Sequence, residues 1–272
     1  MTDVRTTSRL AALFARTRAE GRAAVIPFVP GGWPELDATL DIVRAAVEGG
    51  ADAVEIGVPF SDPLADGVTN QQAYQQALDN GASVGTILDA VRRIREAGVT
   101  IPLLLMGYFN PLLARDVGRF AQEAAAAGVD GLIVVDLPPD EAGELEAPAR
   151  AAGLDIIYLL APTSTDERIR TVVEHASGFI YCVSVTGVTG AREALPEELP
   201  AFISRVRART ALPLAVGFGI STREHVVEVG RLADAAVVGS AFVRMIADTP
   251  AAGRHAAVRA FMEELTGRGE GR

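Results

Sequence analysis

Apolar residues along the chain follow two alternating patterns. Short runs rich in Val, Ile, Leu and Ala recur at Ala24–Val29, Ala53–Ile56, Pro102–Leu105, Gly131–Val135, Asp155–Leu160, Phe179–Val183, Leu214–Gly217 and Ala235–Val238. The runs are nearly continuous, the pattern of parallel strands covered on both faces. Helical periodicity follows each of them, at Glu35–Glu48, Gln71–Ala97 (long enough for two helices), Arg115–Ala127, Asp140–Ala152, Asp166–Ala176, Glu197–Arg209, Thr222–Val229 and Ser240–Ala247. Eight strand–helix units in a chain of 272 residues predict an α/β protein, a (β/α)8 TIM barrel. A doubly wound open sheet is the competing arrangement. Leu10, Leu13 and Phe14 have helical spacing within Thr6–Glu20, which predicts an extra N-terminal helix placed to cover the barrel floor. Ala251–Thr266 reads as a last helix. The whole chain, 1–272, reads as one barrel domain, with the N-terminal helix inside 1–22 and a flexible tail at 267–272.

Composition narrows what such a barrel does. A formal net charge of −10 repels phosphate backbones and anionic lipid, which argues against nucleic acid or a membrane surface as partner. No apolar run is long enough to span a bilayer, and the N-terminus lacks the apolar core of a signal peptide, so the expected compartment is the cytoplasm. A lone cysteine, Cys182, permits no internal disulfide. His175, His225 and His255 lie far apart and read as structural; with Cys182 they make no metal-ligand spacing, and no metal site is expected. All 25 basic residues are arginine. Without lysine the chain forms no Schiff base, anchors no pyridoxal phosphate and has no phosphate-loop lysine, so any carbon–carbon cleavage needs another electron sink.

The candidate chemistry lies where a barrel presents its loops, at the C-terminal ends of the strands. Period-two alternation points Val54 and Ile56 one way and Ala53, Glu55 and Gly57 the other. Glu55 then projects into the barrel, where desolvation raises its pKa and suits it to acid–base work; the alternative is pairing with a structural arginine. The connection Gly57–Thr69 carries Asp62 and Asp66, either a turn former or a second carboxylate for the same pocket. The segments 217–221 (Gly-Phe-Gly-Ile-Ser) and 239–241 (Gly-Ser-Ala) close the last two strand–helix turns. Glycine backbone and helix N-termini there form an anion site, with Gly187–Gly190 as further donors. Ser184–Pro196, the other long connection, reads as a lid. Tyr181 is a core aromatic or a pocket residue, and Trp33 reads as loop packing.

The run 55–67, Glu-Ile-Gly-Val-Pro-Phe-Ser-Asp-Pro-Leu-Ala-Asp-Gly, closely resembles the signature of the tryptophan synthase alpha chain family. The segments 187–192 (Gly-Val-Thr-Gly-Ala-Arg), 217–221 and 239–241 resemble it too, in the same order and spacing. The resemblance implies retro-aldol cleavage of indole-3-glycerol phosphate to indole and glyceraldehyde 3-phosphate. It makes Glu55 and Asp66 the catalytic pair. It places Phe28 and Tyr181 at the indole pocket, Thr189 on the lid, and Gly190, Phe218, Gly219, Gly239 and Ser240 at the phosphate. It also implies a beta-chain partner in an αββα heterotetramer, docked on Asp62–Gly67 and Gly107–Leu112. No cofactor is expected in this chain; pyridoxal phosphate belongs to the partner. The missing lysine fits, because a protonated indole ring is its own electron sink. Asn70, Val68, Pro30 and Gly107 depart from the family's usual residues around pocket and docking surface. A free-standing lyase of the same chemistry, or a non-catalytic phosphate-binding barrel that regulates a partner, are the competing functions.

Overall fold

A computed structural model describes residues 8–183, 196–217 and 219–268. The strands are β1 (Ala24–Pro30), β2 (Val54–Gly57), β3 (Leu103–Gly107), β4 (Gly131–Val134), β5 (Asp155–Ile157), β6 (Leu159–Leu160), β7 (Ile180–Val183), β8 (Leu214–Gly217) and β9 (Ala235–Val238). All ladders are parallel, in the order β5-β4-β3-β2-β1-β9-β8-β7-β6. The fifth expected strand is split at Tyr158, whose carbonyl accepts from Tyr181 N–H while its ring hydroxyl donates to Glu146. β5 and β6 are thus successive pieces of one extended segment, and the two ends of the sheet meet at Tyr158. That is a barrel closed but for one residue, not an open doubly wound sheet.

The helices are α1 (Arg9–Ala19), α2 (Ala38–Glu48), α3 (Val68–Asp79), α4 (Val84–Glu96), α5 (Phe109–Leu113), α6 (Val117–Ala127), α7 (Gly143–Ala151), α8 (Asp166–His175), α9 (Leu199–Arg207), α10 (Arg223–Gly230), α11 (Ser240–Ala247) and α12 (Ala251–Thr266). The long Gln71–Ala97 pattern is two helices, as its length implies. Ser83 and Thr86 form a reciprocal capping box that starts α4. Helix α3 begins at Val68, three residues ahead of the apolar pattern, which puts Asn70 in its first turn. The short α5 has too few residues to show a period and goes unannounced in the sequence. Of the tail, Gly267 and Arg268 close α12, both N–H groups reaching carbonyls in its last turn; 269–272 lie outside the described residues.

Alternation inside the strands makes two apolar layers. Val54, Ile56, Leu103, Leu105, Val216 and Val238 face the helices. Ala24, Ile26, Ala53, Leu104, Ala215 and Ala235 face the interior, where they meet Leu10, Leu13 and Phe14 of α1. The interior alanines leave room for these side chains, and Phe14 packs on Phe179 with ring centroids 5.8 Å apart. Helix α1 therefore plugs the floor. Its arginines reach acids that precede the strands: Arg9 to Asp130 at 2.8 Å, Arg16 to Asp52 at 2.8 Å, Arg18 to Asp234 at 3.7 Å. Each of these acids also accepts an N–H at the start of a neighbouring strand: Asp52 from Val25, Asp130 from Leu103, Asp234 from Leu214. Arg22, Arg95 and Arg207 complete the pairs from the sides.

Candidate functional site

The mouth opposite α1 holds a cavity open to solvent. Phe28 of β1, Glu55 of β2 and Tyr181 of β7 line it from the strand ends; Asp66 comes from the loop after β2, Gly219 from the loop after β8, and Gly239 and Ser240 from the start of α11. Seven of the ten residues proposed from sequence thus share one cavity. Thr189, Gly190, Phe218 and the lid at 184–195 lie outside the described residues.

Glu55 is fully buried, and neither carboxylate oxygen has a hydrogen-bond partner. Among the described residues no arginine pairs with it. Burial alone pushes its pKa up to about 8. A neutral Glu55 at pH 7 is a proton donor in an apolar wall.

Asp66 sits differently. Burial pushes its carboxyl above the ordinary range, while hydrogen bonds from Tyr108 and Asn70 pull the other way. The Tyr108 hydroxyl donates to Oδ2 at 2.7 Å, and Asn70 Nδ2 to Oδ1 at 3.1 Å. The backbone around Asp66 is held as well. Ala65 N–H donates to the Tyr108 hydroxyl, and Gln71 Nε2 to the Asp66 carbonyl at 2.8 Å. Asp62, the other acid of this loop, is exposed and takes only the Ser61 hydroxyl. The structure therefore brings Asp66 to the cavity and leaves Asp62 outside.

Two strand-end glycines shape the walls. A Cβ on Gly57 would lie 2.6 Å from the Tyr74 hydroxyl and 2.9 Å from the Phe28 ring. A Cβ on Gly217 would strike the Tyr181 hydroxyl. Gly219 has φ +84°, a left-handed conformation that favours glycine at the turn into α10. The N–H groups of Ser240 and Ala241 open α11, the first two positions of a helix, which have no partner within it. Together these backbones suit an anion at the rim.

The sequence reading missed Tyr108 and Tyr74. Tyr108 follows the third strand directly, the same position from which the barrel's other site residues come, and that placement was the available signal. Tyr74 follows Asn70 by four residues on one face of α3, a spacing hidden because α3 starts early. Outside the cavity, Trp33 packs and donates to Gln76, His175 pairs with Glu146, and His255 with Asp41 and Glu48. His225 is buried at the start of α10. Among the described residues no three His, Cys, Asp or Glu side chains are grouped to hold a metal, and no helix is long and apolar enough to cross a membrane.

A parallel barrel with two differently buried carboxylates above a plugged floor, and an anion cradle on its last two turns, is an enzyme of the acid–base class working on a phosphorylated substrate. The family model for the tryptophan synthase alpha chain matches residues 14–267. A tryptophan synthase alpha chain of Roseiflexus castenholzii is 54% identical over 239 residues, covering 88% of this chain and 92% of that one. The one of Chloroflexus aggregans is 48% identical over 258 residues, covering 95% and 97%. Among solved structures, Mycobacterium tuberculosis tryptophan synthase superposes with a TM-score of 0.89 at 40% identity, over 96% of this chain and 97% of that one. The alpha subunit from Legionella pneumophila superposes with a TM-score of 0.87 at 34% identity, over 95% and 97%. The chain belongs to the tryptophan synthase alpha chain family.

Proposed function

We propose that Glu55 and Asp66 carry out, in this cavity, the lyase reaction of the alpha subunit: cleavage of indole-3-glycerol phosphate to indole and glyceraldehyde 3-phosphate. The observation that carries the assignment is the buried Glu55, without a hydrogen-bond partner among the described residues, beside an Asp66 held by neutral donors. Glu55 gives its proton to indole C3. The ring becomes an indoleninium-like cation, and the electron pair of the breaking carbon–carbon bond flows into it. The proton of the adjacent glycerol hydroxyl returns to Glu55, which closes the proton balance. Asp66 accepts the ring N–H and stabilises the positive charge that develops there. Gly219, Gly239 and Ser240 bind the phosphate through backbone N–H groups and the Ser240 hydroxyl, with Gly190 and Phe218 beside them. Phe28 and Tyr181 flank the aryl ring. Thr189, on a lid formed by 184–196, closes over Asp66 and excludes water.

The partner is a beta chain, and we place its docking surface on Asp62–Gly67 and Gly107–Leu112, within an αββα assembly. Leu64, at 92% exposure, is an apolar side chain left uncovered by the described residues; Val68, four residues on, is exposed as well, and so is Leu113, next to the second segment. The same reading places the protein in the cytoplasm, where the buried thiol of Cys182 stays free. The test is indole release from indole-3-glycerol phosphate by the purified chain, alone and with the beta chain. Release that rises strongly with the partner supports the assignment. Full release without it favours a free-standing lyase, and no release in either case removes Glu55 and Asp66 from catalysis.

A further inference from the structure

Among the described residues, five buried side-chain polar atoms lack a partner: both Glu55 oxygens, Asn70 Oδ1, the Tyr74 hydroxyl and Arg254 Nε. Three of them, an unused donor and two unused acceptors, belong to Tyr74 and Glu55. The Tyr74 hydroxyl lies 2.6 Å from where a Gly57 Cβ would stand. Gly57 is two residues beyond Glu55 and points to the same face of β2. Two residues of strand span about 6.6 Å. An extended glutamate carries its oxygens about 3.6 Å from Cβ, three bonds of roughly 1.5 Å. About 3 Å of strand remains to the Gly57 Cβ position, and the Tyr74 hydroxyl stands 2.6 Å from that point, so rotation of the two side chains is enough to bring them within hydrogen-bond reach.

While Glu55 is neutral, the pair stays apart at little cost to Glu55. Once Glu55 has given its proton away, a buried carboxylate without a donor is expensive. Asp66 does not supply one, being itself an acceptor, and one of the two Asn70 Nδ2 donors is held by it. The Tyr108 hydroxyl is likewise spent on Asp66. The other tyrosine near both carboxylates is Tyr181, whose hydroxyl is turned against Gly217 of β8. We propose that Tyr74 is a positioning residue for the lyase reaction: its hydroxyl donates to the Glu55 carboxylate formed when the proton leaves, and holds it for the returning proton. This rests on the assignment of Glu55 as the acid.

Tyr74→Phe removes the hydroxyl and leaves the ring contact with Phe28, which is edge-on at 6.3 Å. The expected result is a fall in kcat of about tenfold, the size of one hydrogen bond to a charged group, with KM little changed. The alkaline limb of the pH–kcat profile should move up by about one unit, because the anion has lost its donor. Thermal stability should hold or rise, since an unpaired buried hydroxyl is gone; a structural role predicts the reverse. A second readout needs no activity: the infrared carboxyl band of Glu55, assigned by its loss in Glu55→Gln, titrated in wild type and Tyr74→Phe. An upward shift in the variant supports the proposal. Equal titration curves and an unchanged kcat overturn it. If wild type releases no indole, the assignment of the site falls, and the infrared titration still decides whether Tyr74 serves Glu55.

Discussion

The floor and the mouth of the barrel both bury carboxylates and treat them in opposite ways. At the floor, Asp52 is matched by Arg22 and Arg16 and by the Val25 N–H. Burial raises its pKa, but those hydrogen bonds and charges outweigh burial, and the carboxyl falls below its ordinary range. Asp130 and Asp234 repeat the arrangement with their own arginines and strand N–H groups. At the mouth, among the described residues, Glu55 has no hydrogen-bond partner and Asp66 has neutral donors. One kind of group is an anchor at one end and a proton carrier at the other, and the number of cations within reach decides which.

The sharpest way to break this comparison is at the mouth. Glu55→Gln and Asp66→Asn should each lower kcat by about 10²-fold or more in folded protein, measured as indole release. Near-normal turnover in either would return that residue to the structural group. At the floor, Asp52→Ala should cost about 2–3 kcal/mol in urea unfolding, since it strands a strand N–H and two guanidinium groups. Its kcat at a temperature where it stays folded should be close to wild type.

The same contrast governs pH. Glu55 has a higher pKa folded, about 8, than its ordinary 4.5. Between those values the native chain holds a proton that the unfolded chain releases, so stability from this group is full below pH 4.5 and is lost as pH rises through 8. Glu55→Gln should therefore gain about 2–3 kcal/mol at pH 7 and flatten the fall across that window. Asp52 works with the opposite sign: its contribution is present above the ordinary aspartate pKa and is lost as acid protonates it. Activity should fall on the alkaline side near pH 8 as Glu55 ionises, and on the acid side above the usual aspartate range as Asp66 is protonated. Smallest of all, Arg18→Ala breaks an exposed pair and should shift stability by under about 1 kcal/mol.

Much of this contrast was legible beforehand. Apolar runs and their period are local signals, and they gave the strands, most helices and the inward direction of Glu55. The partner of each acid was not legible, because Asp66 meets Tyr108 across 42 positions and Asp130 meets Arg9 across 121. Asp62 and Asp66 are equivalent in a turn-rich segment; the Tyr108 hydroxyl and Asn70 separate them, and both come from other elements. Tyr74 gives no signal in the sequence, because what sets its hydroxyl apart is the bare Gly57 of another element beside it.

Helix α1 has one more consequence. By stopping the lower end with Leu10, Leu13 and Phe14, it makes the barrel a well instead of a pipe. With the floor stopped, the cavity communicates with solvent on the side of the mouth, and each turnover must empty the well before the next molecule descends. What leaves the well does not leave through the floor, so a neighbour that takes up a product has to meet this chain at the mouth.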